Sequence, residues 1–197
     1  MEFIGDLERA FAATLYPLRV PIAIGLAVVA LIVARVAIRG RWDLSARRHP
    51  RRTLAIGIPA LVVGLPLAWY LGSPLFITTQ LDEPSPVSGT VVASGEFAGA
   101  DEFHFGSGTA SIVETAPGRY ALRFDDFAVR NGPDLFVYLS SEVGYTADAI
   151  ELGALKASEG SFSYDLPEGV DPSTFRSAVV WCRAFSVLFA TAPLGAG

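Results

Sequence analysis

Residues Arg119–Leu139 read RYALRFDDFAVRNGPDLFVYL. In Tyr120-Ala121-Leu122-Arg123-Phe124 the large apolar side chains fall on alternate positions, the period-2 pattern of a half-buried strand. Asn131-Gly132-Pro133 interrupts the run, because Asn bonds its own backbone and Gly-Pro sets a bend. Leu135-Phe136-Val137-Tyr138-Leu139 follows and is apolar on both faces, as the interior strand of a sheet is. Two strands joined by a turn, with no helical period on either side, predict β structure here.

The same texture extends in both directions. Candidate strands are Thr90–Ser94, Thr109–Thr115, Arg119–Phe124, Leu135–Ser140, Ser161–Tyr164, Ser177–Arg183 and Phe185–Ala190. Pro117-Gly118, Glu159-Gly160 and Pro167-Glu168-Gly169 supply turns between them, and Glu151–Lys156 reads as a further turn. Many short strands with such breaks predict an all-β domain, an antiparallel β-sandwich or a barrel. Ala178-Val179-Val180-Trp181-Cys182 is again apolar on both faces. Ideal alternation sets Trp181, Phe185, Val187 and Phe189 on one face with Arg183, and Val180, Cys182, Ala184, Ser186 and Leu188 on the other. A bulge or turn near Arg183-Ala184 would break that register.

Upstream the composition changes. The chain is 51% apolar with a mean hydropathy of +0.42, and the excess sits in its first 80 residues. One apolar stretch runs from about Leu15 to Ile38, uncharged from Val20 to Ala34 and bracketed by Arg19 and Arg35, which can snorkel to headgroups. A second runs from Thr53 to about Phe76 without a charge, contains Gly57, Pro59, Gly64 and Pro66, and carries Trp69 and Tyr70 near its end. About 20 apolar residues span a bilayer, so two transmembrane α-helices, about 15–38 and 53–76, are expected within a membrane region of residues 1–79. A cleaved signal peptide fits badly, because Glu2, Asp6 and Glu8 precede the first stretch and a second follows. Thr78–Val87, TTQLDEPSPV, reads as a linker (residues 80–88), and residues 89–197 as the soluble β-sandwich domain.

Charge divides the chain at the same place. Residues 1–79 hold nine basic and four acidic residues, net +5; residues 80–197 hold six and sixteen, net -10. So acidic a domain repels phosphate backbones, which excludes nucleic acid as a partner. Residues 35–52 hold seven arginines and one acid. The positive-inside rule puts that loop in the cytoplasm and both termini, with the acidic domain, on the other side. The lipid bilayer is then one partner.

Few residues in the soluble part carry chemistry. Cys182 is the single cysteine of the chain, so no internal disulfide can form. Free cysteine is commonly buried as a small hydrophobe. An exported domain, however, must shield or use a lone thiol, and Arg183 would lower its pKa if it came near. The domain has one histidine, His104, and no methionine, so it cannot supply the two His and one Cys of a blue-copper set. Haem held by His104 and Cys182 has no sequence signature. Asp125, Asp126, Asn131 and Asp134 gather oxygens of the type a hard metal cation takes, but their spacing does not match a calcium loop; turn chemistry is the plainer account. No nucleophile elbow, phosphate loop or zinc-protease motif is present.

Several pieces, in order, carry a resemblance: Gly106-Ser107-Gly108-Thr109-Ala110, Tyr120–Phe127, Asn131–Leu139, Leu152-Gly153-Ala154-Leu155-Lys156, Gly160–Tyr164, Leu166-Pro167 and Val180–Ala190. From about Gly89 to Leu194 the chain resembles the DM-thirteen domain, a predicted electron-transfer β-sandwich related to the DOMON domains. The resemblance implies that Cys182 matches the family's nearly constant cysteine, for which redox chemistry has been proposed, as a bare thiol or through a bound prosthetic group. It names no cofactor. The reading that follows is a membrane-anchored extracytoplasmic redox domain centred on Cys182, its pocket lined by His104, Trp181 and Phe185, exchanging electrons with a membrane or extracytoplasmic redox protein. The alternative is a non-catalytic ligand-binding or adhesion sandwich whose cysteine fills the core.

Overall fold

The computed structural model describes residues 18–39, 49–73, 77–85 and 89–196, and the chain divides after Ser73 into a helical and a β unit. Residues 15–17, the centre of the arginine-rich loop (40–48), residues 74–76 and the end of the expected linker (86–88) lie outside the described residues.

Helix α1 spans Arg19–Arg39 and helix α2 spans Pro50–Gly72. Pro50 stands in the first turn of α2, where a missing N–H costs nothing, and Thr53 Oγ1 donates to the His49 carbonyl at 3.2 Å. Pro59 and Pro66 lie inside α2, each removing one helical hydrogen bond. Leu61, Val62, Val63 and Leu65 are all exposed, so α2 is apolar around its circumference. Among the described residues one helical segment, Pro50–Tyr70, has the length and composition to cross a membrane, with a mean hydropathy of 1.7.

In the β unit, the described residues form two sheets. The strands are β1 (Gln80–Asp82), β2 (Thr90–Glu96), β3 (Ala98–Gly99), β4 (Gly106–Ala116), β5 (Arg119–Val129), β6 (Leu135–Ser140), β7 (Ile150–Ala154), β8 (Glu159–Asp165), β9 (Ser177–Cys182), β10 (Val187–Pro193) and β11 (Gly195–Ala196). One sheet runs β1-β8-β5-β4-β2-β11 and the other β3-β10-β9-β6-β7. Every pairing is antiparallel except β1 with β8. This is the expected sandwich, and β6 and β9 are interior strands, as their two apolar faces require. Ile150–Ala154 forms a strand where a turn was expected, because Tyr138 and Glu151 pair across it. Part of the expected linker also joins a sheet as β1.

A bulge in β5 sets the core. Strict alternation would send Phe124 and Phe127 to opposite faces. The register with β8 shifts between them, and Asp126 takes a left-handed φ of 48°. Both rings then enter the core with centroids 4.8 Å apart; Phe97 packs edge-on to each at 4.9 and 5.0 Å, and Phe162 lies 5.5 Å from Phe124. Aromatic pairs of this geometry add about 0.5–1.5 kcal/mol each beyond burial. Opposite the bulge Gly108 has φ +103°, and a Cβ there would stand 2.6 Å from the Asp126 carbonyl oxygen.

The segment leading into the sandwich is tied down. Arg123 is 4% exposed; its Nε donates to Asp125 Oδ1 at 2.9 Å and its Nη1 to the Glu83 carbonyl at 3.0 Å. Glu83 accepts from Lys156 Nζ and from the Ser163 amide, both at 2.9 Å, and the Lys156 bond foremost holds its pKa below the ordinary value. The outward position that alternation gave Arg123 is thus covered by residues 83–84.

Asp126→Gly should keep the fold's stability, whereas Asp126→Val should cost about 1–2 kcal/mol, because a β-branched residue resists the left-handed conformation. Thermal unfolding of the two variants in detergent checks this; equal loss in both would show that the bulge does not depend on that backbone angle.

Candidate functional site

Cys182 is the last residue of β9, paired with Leu135 of β6 on one side and Val187 of β10 on the other. It is a free thiol and fully buried. Its face of β9 carries Ala178 and Val180, which belong with it to the core between the sheets. Burial pushes the thiol pKa up; the amides of Phe185, Asp134 and Ala184, which point donors toward the sulfur, offset only part of that shift. Cys182 is therefore a neutral, enclosed thiol at pH 7.

The chain turns directly after it. Residues 183–186 form a turn in which Ser186 adopts φ 55°, and the Arg183 amide donates to the Asp134 carbonyl at 3.0 Å. This turn resets the register, and a bulge between Leu188 and Ala190 places Phe189 and Ala190 together in the core. Phe189 therefore does not follow the alternation expected for it. Phe185 is half-buried, packs against the core and supplies one of the amides near the sulfur.

Arg183 does not approach the thiol. Its guanidinium lies 3.3 Å above the Phe136 ring, and it meets Glu151 at 3.4 Å and Asp134 at 3.5 Å. The condition under which it would lower the Cys182 pKa is therefore not met, because Arg183 belongs to the outer surface of the sheet. Trp181 is on that outer face too, directly opposite Phe136 and stacked on Tyr145 at 4.2 Å with an interplanar angle of 12°. Trp181 and Cys182 thus stand on opposite faces of one strand.

His104 is fully buried in the loop between β3 and β4. Asp101 organises that loop. Its carboxylate accepts from the amides of Phe103 at 2.8 Å and His104 at 2.7 Å and meets His104 Nδ1 at 2.8 Å. Burial opposes ionisation of Asp101, but the bonds from His104 outweigh it and hold the carboxyl below its usual pKa. Arg130 Nε donates to the Phe103 carbonyl and closes the loop from the other side. The His104 ring packs edge-on to Phe189 at 4.5 Å. A Cβ at Gly132 would crowd both Phe189 and Leu135, so the Asn131–Asp134 turn presses on the same ring. Cys182 is thus paired with Leu135 and faced by the Phe185 amide, His104 packs on Phe189, and Trp181 lies on the other face of β9.

The four oxygen-bearing residues proposed for a cation are not gathered. Asp125 pairs with Arg123, Asp126 shapes the bulge, Asp134 pairs with Arg183, and Asn131 accepts from the Gly132 amide at 2.9 Å while its Nδ2 donates to the Ile77 carbonyl at 2.9 Å. No group of three or more His, Cys, Asp and Glu among the described residues could hold a metal. A prosthetic group on Cys182 would have to displace Leu135, Val187 or the 183–186 turn, so the residues as placed do not fit one. A cleft of about 210 Å³ opens nearby between Thr79, Asn131–Phe136, Ala154, Leu155, Ala157 and Ser158; its lining includes Leu135, the residue paired with Cys182.

A family model described as Electron transfer DM13 matches residues 96–194. No curated protein and no solved structure matches the chain.

The burial of the thiol has a pH signature. Its folded pKa is raised, so the stabilisation is complete below the unfolded cysteine pKa of about 8.5 and is lost as pH rises past it. Unfolding measured from pH 7 to 10 should show that decline, and Cys182→Ala should abolish its cysteine component while costing about 1–2 kcal/mol at pH 7. Cys182→Ser, whose hydroxyl accepts from the same amides, should lose less than the alanine variant. A pH profile identical in wild type and Cys182→Ala would show that the thiol does not titrate with folding.

Proposed function

This chain belongs to the Electron transfer DM13 family, and from that membership we propose an electron-transfer domain, tethered to a membrane, with Cys182 as its centre. The observation that carries the cysteine's part is its placement: a lone thiol held inside the sandwich under a short turn whose Phe185 packs against the same core. The 183–186 turn covers the sulfur, so on this reading it is the element that opens to give access. On this reading Cys182 works as a bare thiol, because the packing leaves no space for a bound group.

The anchor reading rests on α2, on the uncharged run Val20–Ala34 in α1, and on the seven arginines of residues 35–52. Two spans with a cytoplasmic loop put the acidic domain outside the cytoplasm. Its electron partner is then a membrane or extracytoplasmic redox protein.

The test of the centre is the rate at which a small thiol reagent labels the native, membrane-purified chain. Local opening of the 183–186 turn predicts labelling faster than global unfolding and insensitive to low denaturant. Labelling that tracks global unfolding, in a protein carrying neither chromophore nor metal, makes Cys182 core filling and favours the binding-sandwich alternative.

Orientation is tested with reporters that are active only in the cytoplasm. One inserted in the Arg39–Arg52 loop should be active and one fused after Gly197 silent. The opposite pattern inverts the topology.

A further inference from the structure

The outer face of the β3-β10-β9-β6-β7 sheet carries a second arrangement. Phe136 stands directly opposite Trp181, and Tyr138 is two residues along the same face of β6. Tyr145, from the loop between β6 and β7, folds back over them. Its ring stacks on Trp181 at 4.2 Å and meets Tyr138 edge-on at 5.1 Å. Tyr145 is 38% exposed, whereas Tyr138 is 5% exposed. The Tyr138 hydroxyl donates to Glu151 Oε2 at 3.0 Å, and Arg183 Nη1 meets the same oxygen at 3.4 Å.

We propose that Tyr145, Trp181 and Tyr138 form a proton-coupled one-electron site, with Tyr138 as the terminal donor and Glu151 as the acceptor of its proton. Packing alone explains an aromatic pair on a solvent-facing sheet. It does not require a covered phenol aimed at a carboxylate at the inner end of a stack whose outer end is open to solvent. Indole and phenol rings are among the side chains most readily oxidised by one electron, and a phenol that loses an electron must also lose its proton. Burial foremost, and then Glu151, raise the Tyr138 pKa to about 12, so the proton is present at rest. The acceptor is already in place.

The step balances as follows. A high-potential one-electron oxidant, of the organic-radical or high-valent metal class, takes one electron from Trp181 and is itself reduced by one, leaving an indole radical cation. The exposed Tyr145 ring, stacked on Trp181 and edge-on to Tyr138, bridges the two without giving up its own proton. Tyr138 fills the hole by giving up one electron as its O–H bond breaks and the proton passes to Glu151, leaving a neutral tyrosyl radical and a carboxylic acid. One electron from a reductant and the same proton from Glu151 restore both groups. The site lies on the face of β9 opposite Cys182 and operates without it.

The experiment is flash oxidation of the full chain in detergent by photogenerated ruthenium(III) tris-bipyridine, read by transient absorption and electron paramagnetic resonance. Wild type should yield a tyrosyl radical with a deuterium isotope effect on its formation. Tyr138→Phe should lose that radical. Glu151→Gln, which keeps the shape, should slow its formation by an order of magnitude, and Trp181→Phe, which keeps the ring stack but not the oxidisable indole, should slow it as well. Thermal unfolding identifies any variant that fails to fold, and the conservative Gln variant keeps the test open should Tyr138→Phe be one. An unchanged radical in Tyr138→Phe, or an unchanged rate and isotope effect in Glu151→Gln, overturns the proposal. Cys182→Ser should retain the radical; its loss there would equally overturn a site independent of the cysteine.

Discussion

Strand β9 is hydrogen-bonded along both edges and apolar on both faces, and the rest of the site depends on that constraint. Because side chains alternate, consecutive residues at its end enter different environments. Cys182 goes into the dry interior with Ala178 and Val180, and Trp181 goes to the outer surface with Val179. A slip of one residue against β6 would exchange them, placing an indole in the core and a thiol in water. The pairing of Cys182 with both Leu135 and Val187 fixes the register. The turn at 183–186 then closes the end of the strand, and its amides face the sulfur.

Much of this was legible in the sequence. Leu135–Leu139 and Ala178–Cys182 announced interior strands, because a run apolar on both faces has no solvent side. The opposite placement of Trp181 and Cys182 followed from the same alternation, and grouping them in one pocket ignored it. Arg183 misled for a related reason: adjacency along a strand is separation across a sheet. What alternation could not show were the irregularities. Asp125-Asp126 looks like a turn or a cation loop, but it is a bulge whose effect is to turn Phe127 inward beside Phe124. That choice is made by the core, which gains a second aromatic ring against Phe97 beside Phe124, and not by local preference. The bulge at Leu188–Ala190 likewise puts Phe189 beside His104, a contact between residues far apart in the chain.

The acidic residues follow a similar logic. Asp125 answers the buried Arg123, Asp101 caps and braces the His104 loop, Asp134 and Glu151 flank Arg183, and Glu83 binds Lys156 and the edge of β8. Part of the charge that reads as an acidic surface is thus assigned, partner by partner, to bracing loops and strands. The Arg123 interaction matters most, because an ion pair with 5% side-chain exposure on the arginine side must be fully bonded to be tolerated. The carbonyl of Glu83 completes it, which explains why a segment with the composition of a linker is ordered as an edge strand.

A redox domain must reconcile two demands that conflict at a single residue. A centre open to solvent exchanges electrons readily and is also oxidised indiscriminately; an enclosed centre is protected but hard to reach. In the two sites proposed above, these demands are distributed across the thickness of one strand. Inside, the thiol is neutral, covered and apart from Arg183, whose guanidinium lies on the outer face. Outside, the rings of Trp181 and Tyr145 reach solvent, and the phenol of Tyr138 is covered but paired with a carboxylate that can take its proton. Neither arrangement could be moved to the other face without losing its character, since the outer phenol depends on Glu151 from the neighbouring strand and the inner thiol on the packed core. The β-sandwich supplies both because a sheet has two faces, and β9, paired on both edges, holds them in fixed relation.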